Sequence, residues 1–294
     1  MAKLKYTFKT DTLFKMMFVK HPGLLKRLVA ELLGIPFESI GQFTITNPEM
    51  PPEGLGEKFS RLDINMTVGG QRVDLEVQVE DEGNYPERSL YHWAREYSSA
   101  LPAGEEYSRL PRTIIISIID FSLFDCEAFH SEFQPLEVTR HTQLSDKMSL
   151  HFFELKKLPE TIDANDMLLL WLWLFKAETE EELAKIDGLE VPIMKQAISA
   201  YRSITVSPEF RELERIRARA RHDEAQALGH ARLAGIAEGE TKGRAEGRTE
   251  GRAEGGTLKA FAIAQNMLRR NRPVNEITED TGLTLEEVEG LRGQ

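Results

Sequence analysis

The chain has 294 residues, 41% of them hydrophobic and 29% charged, and carries a net charge of −11. Those proportions suit a globular protein with one large domain and an appendage, or two domains, while the acidic balance argues against a broad basic surface that grips nucleic acid. A single cysteine, Cys126, excludes an internal disulfide and any multi-thiolate zinc site.

The first eighteen residues lack the apolar core and small-residue cleavage pattern of a secretory signal. The most apolar run, residues 167–175, is too short to span a bilayer. Both point to a cytoplasmic protein with no membrane partner. Residues 11–33 place Leu13, Met16, Met17, Leu24, Leu28 and Leu32 near helical spacing. Asp11 is a natural N-cap there, and His21-Pro22-Gly23 interrupts the pattern. Residues 43–46 suit a short strand and residues 47–56 a loop.

The centre of the chain is residues 61–80. Leu62, Ile64, Met66 and Val68 alternate with Arg61, Asp63, Asn65 and Thr67; after Gly69-Gly70, Val73, Leu75, Val77 and Val79 alternate with Arg72, Asp74, Glu76, Gln78 and Glu80. Period-two alternation on both sides of a glycine pair predicts a hairpin with a two-residue primed turn. Val68 then faces Gln71, and Asp63 faces Glu76 on the polar side. Facing Cβ atoms lie about 4.5–5.5 Å apart, where like charges repel. A hard divalent cation such as Mg²⁺ accepts carboxylate oxygens and relieves that repulsion. The plainer reading is a solvated acidic hairpin face.

Beyond the hairpin, Pro86 opens a helix that runs to about residue 100. Leu90, Trp93, Ala94 and Tyr97 form its apolar stripe, and Arg88, Tyr91, His92 and Arg95 share another face. That second face is either an ordinary solvated one or, beside an acidic metal site, a neighbour of a scissile phosphate. The run Thr-Ile-Ile-Ile-Ser-Ile-Ile at 113–119 predicts a strand buried on both faces. Residues 129–138 and 150–155 suit further strands, and 163–176 and 191–204 helices. Trp171, Trp173 and Phe175 read as packing residues. The seven histidines show no zinc spacing and read as structural or solvated.

The arginines of 211–221 spread around a helical cylinder, which suits a solvated helix better than a DNA-contacting stripe. Gly235, Gly239, Gly243, Gly247, Gly251 and Gly255 recur every fourth residue. Each interior glycine costs a helix about 1 kcal/mol relative to alanine, so a marginal, mobile helical linker is expected. Residues 258–269 resume an amphipathic helix. Residues 273–291 read as helix–turn–helix, with Thr284 and Glu287 at capping-box spacing. Glu286, Glu287 and Glu289 suit docking or dimerisation better than reading a DNA groove.

Asp63, the tight turn and Glu76-x-Gln78 resemble the PD-(D/E)XK nuclease site, in the variant with glutamine where lysine is usual. With residues 11–18, 61–64, 75–78, 85–101 and 104–124, the chain is similar to the Rpn family, the recombination-promoting nucleases and transposase relatives of that class. The likeness covers most of residues 8–160. It implies an α/β fold: a PD-(D/E)XK restriction-endonuclease-like core with a mixed central sheet flanked by helices, and a helical C-terminal extension. The expected organisation is a nuclease core at 1–160, a helical extension at 161–234, a glycine-repeat linker helix at 235–257 and a small helical segment at 258–294.

The implied activity is metal-dependent hydrolysis of DNA, with a role in recombination or transposition. Asp63, Glu76 and the Val77 carbonyl would hold Mg²⁺, for which Mn²⁺ can substitute, and Asp63, Glu76 and Gln78 would be catalytic. Gln78 can orient water but brings no charge, so Lys15, Lys58 or Arg88 is the candidate replacement cation. Lys15, Arg88, Tyr91 and Arg95 are candidate DNA contacts, with a solvated lysine as the alternative for Lys15. Two rival readings are a catalytically idle DNA-binding or scaffold module that forms a homodimer or larger homo-oligomer through its helical tail, and a strand-transfer protein.

Overall fold

A computed structural model of the chain describes residues 2–47 and 63–293. Among these, six strands form one mixed sheet: β1 (Phe43–Ile45), β2 (Ile64–Val68), β3 (Gln71–Gln78), β4 (Thr113–Ile119), β5 (His130–Phe133) and β6 (Met148–Glu154). Their spatial order is β1-β2-β3-β4-β6-β5. The first three are antiparallel neighbours, β3, β4 and β6 run parallel, and β5 returns antiparallel along the edge. The expected hairpin is present: Gly69 and Gly70 take φ of 56° and 82°, and pairing runs from Val68↔Gln71 to Ile64↔Leu75. Two successive residues at positive φ make a type I′ turn, which glycine adopts without the strain a side chain would bring. Lys58, Arg61, Leu62 and nearly all of the predicted 47–56 loop lie outside the described residues.

The helices follow the predicted stops. α1 (Asp11–Lys20) and α2 (Pro22–Leu33) are separated at His21. α3 is Tyr85–Ser99, α4 Met167–Lys176, α5 Glu180–Asp187 and α6 Pro192–Thr205. Residues 163–166 lie ahead of α4, because the Asp166 carboxylate caps it by accepting from the Leu169 N–H. The short α5, absent from the sequence reading, is held by a capping box between Thr179 and Glu182. β5 is shorter than the predicted 129–138 strand; beyond Phe133 the chain turns through an isolated Leu136↔Gln143 bridge. α7 (Pro208–Arg269) runs as helix through the glycine repeat, as expected of residues 235–257, and joins it to the helical segments on either side.

The chain divides into two compact units, residues 1–219 and 220–294. In the first, Ile64, Met66, Leu75, Ile116 and Ile118 on one face of the sheet join a large core with Leu13, Met17 and Phe18 of α1, Leu25 and Leu28 of α2, and Leu170, Trp171 and Phe175 of α4. Trp171 and Phe175 are fully buried, as packing residues should be. On the other face, Ile115, Ile119, Leu150 and Phe152 pack with Tyr85 of α3 and Phe121. β4 is therefore covered on both sides, which its unbroken β-branched run requires. In the second unit, α8 (Val274–Thr281) and α9 (Leu285–Gly290) bury Ile277 and Val288 against Ala264 of α7. The Thr284–Glu287 capping box forms as its spacing predicts.

α3 corrects the sequence reading most. Leu90 and Ala94 are exposed, while Tyr85 and Ser89 are buried and Arg88 and His92 turn inward. Tyr91 and Arg95 remain exposed, so the four residues expected to share one face are divided. Of the expected stripe, Trp93 and Tyr97 are half-buried, Trp93 against the apolar cluster; beside them the strand under α3 presents carboxylates and an amide, so the inward side of the helix is part apolar and part polar.

Candidate metal and nuclease site

Alternation along β3 sends Val73 and Leu75 into the large core and turns Asp74, Glu76 and Gln78 towards α3. Parallel pairing with β4 brings Ile115, Ser117 and Ile119 alongside those three. The carboxylates are thus held in the middle of a sheet and roofed by a helix. Asp74 and Glu76 are each only 3% exposed.

The α3 side chains complete the arrangement. The Tyr85 hydroxyl donates to Glu76 Oε2 at 3.0 Å. One helical turn on, Arg88 donates to Gln78 Oε1 at 2.9 Å and pairs with Glu82 at 3.0 Å. A turn further, His92 Nδ1 stands 3.2 Å from Glu76 Oε1. The other end of the Gln78 amide is also engaged, donating to the Glu80 carbonyl at 2.8 Å. Tyr85 packs edge-on against Phe121 and Phe152, and the Arg88 guanidinium lies over its ring.

Asp74, Glu76 and His92 each offer a ligand atom within 4.8 Å of the others. Among the described residues this is the group suited to a metal ion. Asp74 Oδ1 is buried with no hydrogen-bond partner among those residues. Burial first, then the charges of Asp63, Glu76 and Glu96, push the Asp74 carboxyl well above the ordinary carboxylate range. A buried carboxylate in that condition either takes up a proton or acquires a cation. Burial, and then the Glu76 charge, likewise hold the Tyr85 phenol protonated. A cavity of about 150 Å³ adjoins Asp74, lined also by Asn65, Arg72, Glu96 and Thr113.

Of the residues singled out from sequence, Glu76, Gln78 and Arg88 meet at this place. Asp63 lies just ahead of β2, where strand pairing stops one residue short of it; its carboxylate accepts from Asn65 at 3.3 Å. The Asp63 charge reaches Asp74, but Asp63 is outside the three-residue group. Lys15 is only 3% exposed and donates to the Asp63 carbonyl at 3.1 Å, which removes the solvated alternative. Tyr91 is 64% exposed, and Arg95 is exposed yet near enough for its charge to act on Asp74.

Two residues of the group were not read as ligands from the sequence. Asp74 shares the polar parity of Glu76, but nothing local distinguishes it from a solvated acid. His92 read as structural or solvated, or with its helix face as a neighbour of a scissile phosphate, because its partners lie on a strand well before it in the chain. The signal available was that Tyr85, Arg88 and His92 recur at helical spacing immediately after an acidic strand.

No curated protein and no solved structure matches the chain. The sequence model of PD-(D/E)XK nuclease family transposases matches residues 8–231, well over half the chain. That span takes in the whole sheet, α3 and the acidic strand described above, and the chain belongs to the PD-(D/E)XK nuclease family of transposases.

Proposed function

We propose that the protein hydrolyses DNA phosphodiester bonds with the help of a divalent cation, Mg²⁺ in the form the motif implies and Mn²⁺ as a substitute. The observation that carries the proposal is the buried pair Asp74 and Glu76, with one carboxylate oxygen lacking any hydrogen-bond partner among the described residues. In a nuclease family, a buried Asp74 oxygen in that condition beside a second buried carboxylate is best explained by a cation. Asp63, Glu76 and the Val77 carbonyl are the ligands we assign from the motif, with Asp74 joining them. When bound, the ion supplies Lewis acidity towards a phosphate oxygen and lowers the pKa of a water.

The chain's own residues take the remaining roles. Arg88 brings the positive charge that glutamine lacks, through its bond to Gln78 Oε1. Lys15 approaches from α1 beside Asp63. Exposed Tyr91 and Arg95 are the contacts we assign to the DNA backbone, where arginine contacts set register without reading sequence.

A second reading has an observation in its favour. Both ends of the Gln78 amide are engaged, so it orients a water only by releasing one of them. That favours a weakly active or idle DNA-binding module, acting in the cytoplasm and assembling as a homo-oligomer through its helical tail. Plasmid cleavage with Mg²⁺ or Mn²⁺ separates the readings. Wild type should cut, and Asp63→Ala and Glu76→Ala should each abolish cutting in folded protein. Cleavage surviving in both variants would overturn the assignment; binding without cutting in wild type would support the idle module, and joined products would indicate strand transfer.

A further inference from the structure

The proposed function takes Mg²⁺ from the motif and admits Mn²⁺ as a substitute; the inference here rests on that reading of a divalent-ion site and reverses the order of preference. We propose that the pocket selects a first-row transition ion, Mn²⁺, over Mg²⁺, and that His92 Nδ1 is the ligand that makes the selection.

The geometry begins with Glu76. Its Oε2 accepts from the Tyr85 hydroxyl, and its Oε1 lies 3.2 Å from His92 Nδ1. Two adjacent ligands of an octahedral ion at bond lengths near 2.1 Å stand about 3 Å apart. The nitrogen and the oxygen therefore already have the spacing of neighbouring ligands on one ion. Asp74, the third member of the group, brings a buried oxygen without a hydrogen-bond partner among the described residues. Glu76 is 3% exposed and the His92 side chain 20%, so the imidazole stands at the solvent side of the group.

Donor chemistry then separates the two ions. Mg²⁺ is hard, keeps its waters and takes oxygen ligands. An imidazole nitrogen favours first-row transition ions, whose affinity for nitrogen sites rises from Mn²⁺ onward. Mn²⁺ also accepts carboxylate, carbonyl and water oxygens readily, so the oxygens assigned above and the His92 imidazole all suit it. The competing role for His92 is a counter-charge: a protonated imidazole that neutralises Glu76 and must be displaced when an ion enters.

The two roles predict opposite effects of removing the ring. Calorimetric titration of the full chain with Mn²⁺ and with Mg²⁺ gives the affinity ratio for wild type and His92→Ala. The expected result is tighter Mn²⁺ binding in wild type, and a loss of roughly tenfold or more of that preference in His92→Ala, with Mg²⁺ affinity nearly unchanged. Pulsed electron paramagnetic resonance of Mn²⁺-loaded wild type should show nitrogen coupling from one imidazole, which needs no variant to fold. An unchanged ratio, tighter binding of both ions in His92→Ala, or no nitrogen coupling would overturn the inference while leaving a metal-dependent nuclease intact. Failure of wild type to bind either ion would remove the proposed function as well.

Discussion

Tyr85 illustrates how much of the site depends on single atoms. Its ring belongs to the small apolar cluster on the α3 side of the sheet, while its hydroxyl holds one oxygen of Glu76. Phenylalanine keeps the ring and its edge-on contacts with Phe121 and Phe152, so Tyr85→Phe isolates the hydrogen bond. Groups that orient a metal ligand typically contribute about 10- to 100-fold in metal affinity. The expected result is a divalent-ion affinity at least about tenfold weaker in a protein that still unfolds cooperatively, with a midpoint lowered by the lost bond to a buried carboxylate. Calorimetry and a melting curve measure the two; equal affinity in wild type and variant would show that Glu76 needs no such support.

Among the elements, the β5–β6 edge contains a second polar cluster, unrelated to the acidic pocket. His130 Nε2 and His151 Nδ1 share a hydrogen bond at 3.1 Å, and Ser149 Oγ bonds both His151 at 2.9 Å and Glu132 at 2.8 Å. Arg112, ahead of β4, faces Glu132 at 4.0 Å. Burial pulls the His151 imidazole down from 6.5 to about 4, against the raising influence of Glu132. The folded state thus binds this proton less readily than the unfolded chain does. Its contribution is complete above pH 6.5 and is lost as the pH falls towards 4, on the order of 3 kcal/mol in all. Urea unfolding across that window should show the decline in wild type and a shallower one in His151→Gln. Parallel curves for the two proteins would exclude the imidazole as its source.

At the scale of the whole molecule, the site and the main core both belong to the first unit, residues 1–219. The first part of α7 is tied into that unit, since Arg217 donates to Thr12 at 2.8 Å and pairs with Asp11 at 3.3 Å. The second unit has its own small core around Ala264, Ile277 and Val288. No helix among the described residues is long and apolar enough to cross a membrane. A chain ending at residue 231, where the family match ends, should therefore stay folded and bind divalent ions as the full chain does. Circular dichroism and calorimetry test this, and loss of ion binding in a folded truncated chain would make the tail part of the site.

What the sequence determined by itself was the local framework. Alternation around Gly69-Gly70 specifies the hairpin and its register, because a one-residue slip would move every apolar side chain to the wrong face. The β-branched run of β4 demands burial on both sides, and Pro86 and the Thr284–Glu287 spacing announce helix starts through groups within one turn. The tertiary structure alone decided which polar residues gather. Lys15 is buried because α1 passes beside Asp63, and Leu90 is half-exposed because Tyr85 and Trp93, not Leu90, take the apolar part of the surface under α3 while Arg88 and His92 take its carboxylates and amide. Asp74 and His92 become partners only when β3 and α3 meet. Periodicity reports which side of an element is covered when the covering surface is apolar. Where that surface is itself charged, only the assembled fold shows which side chains answer it.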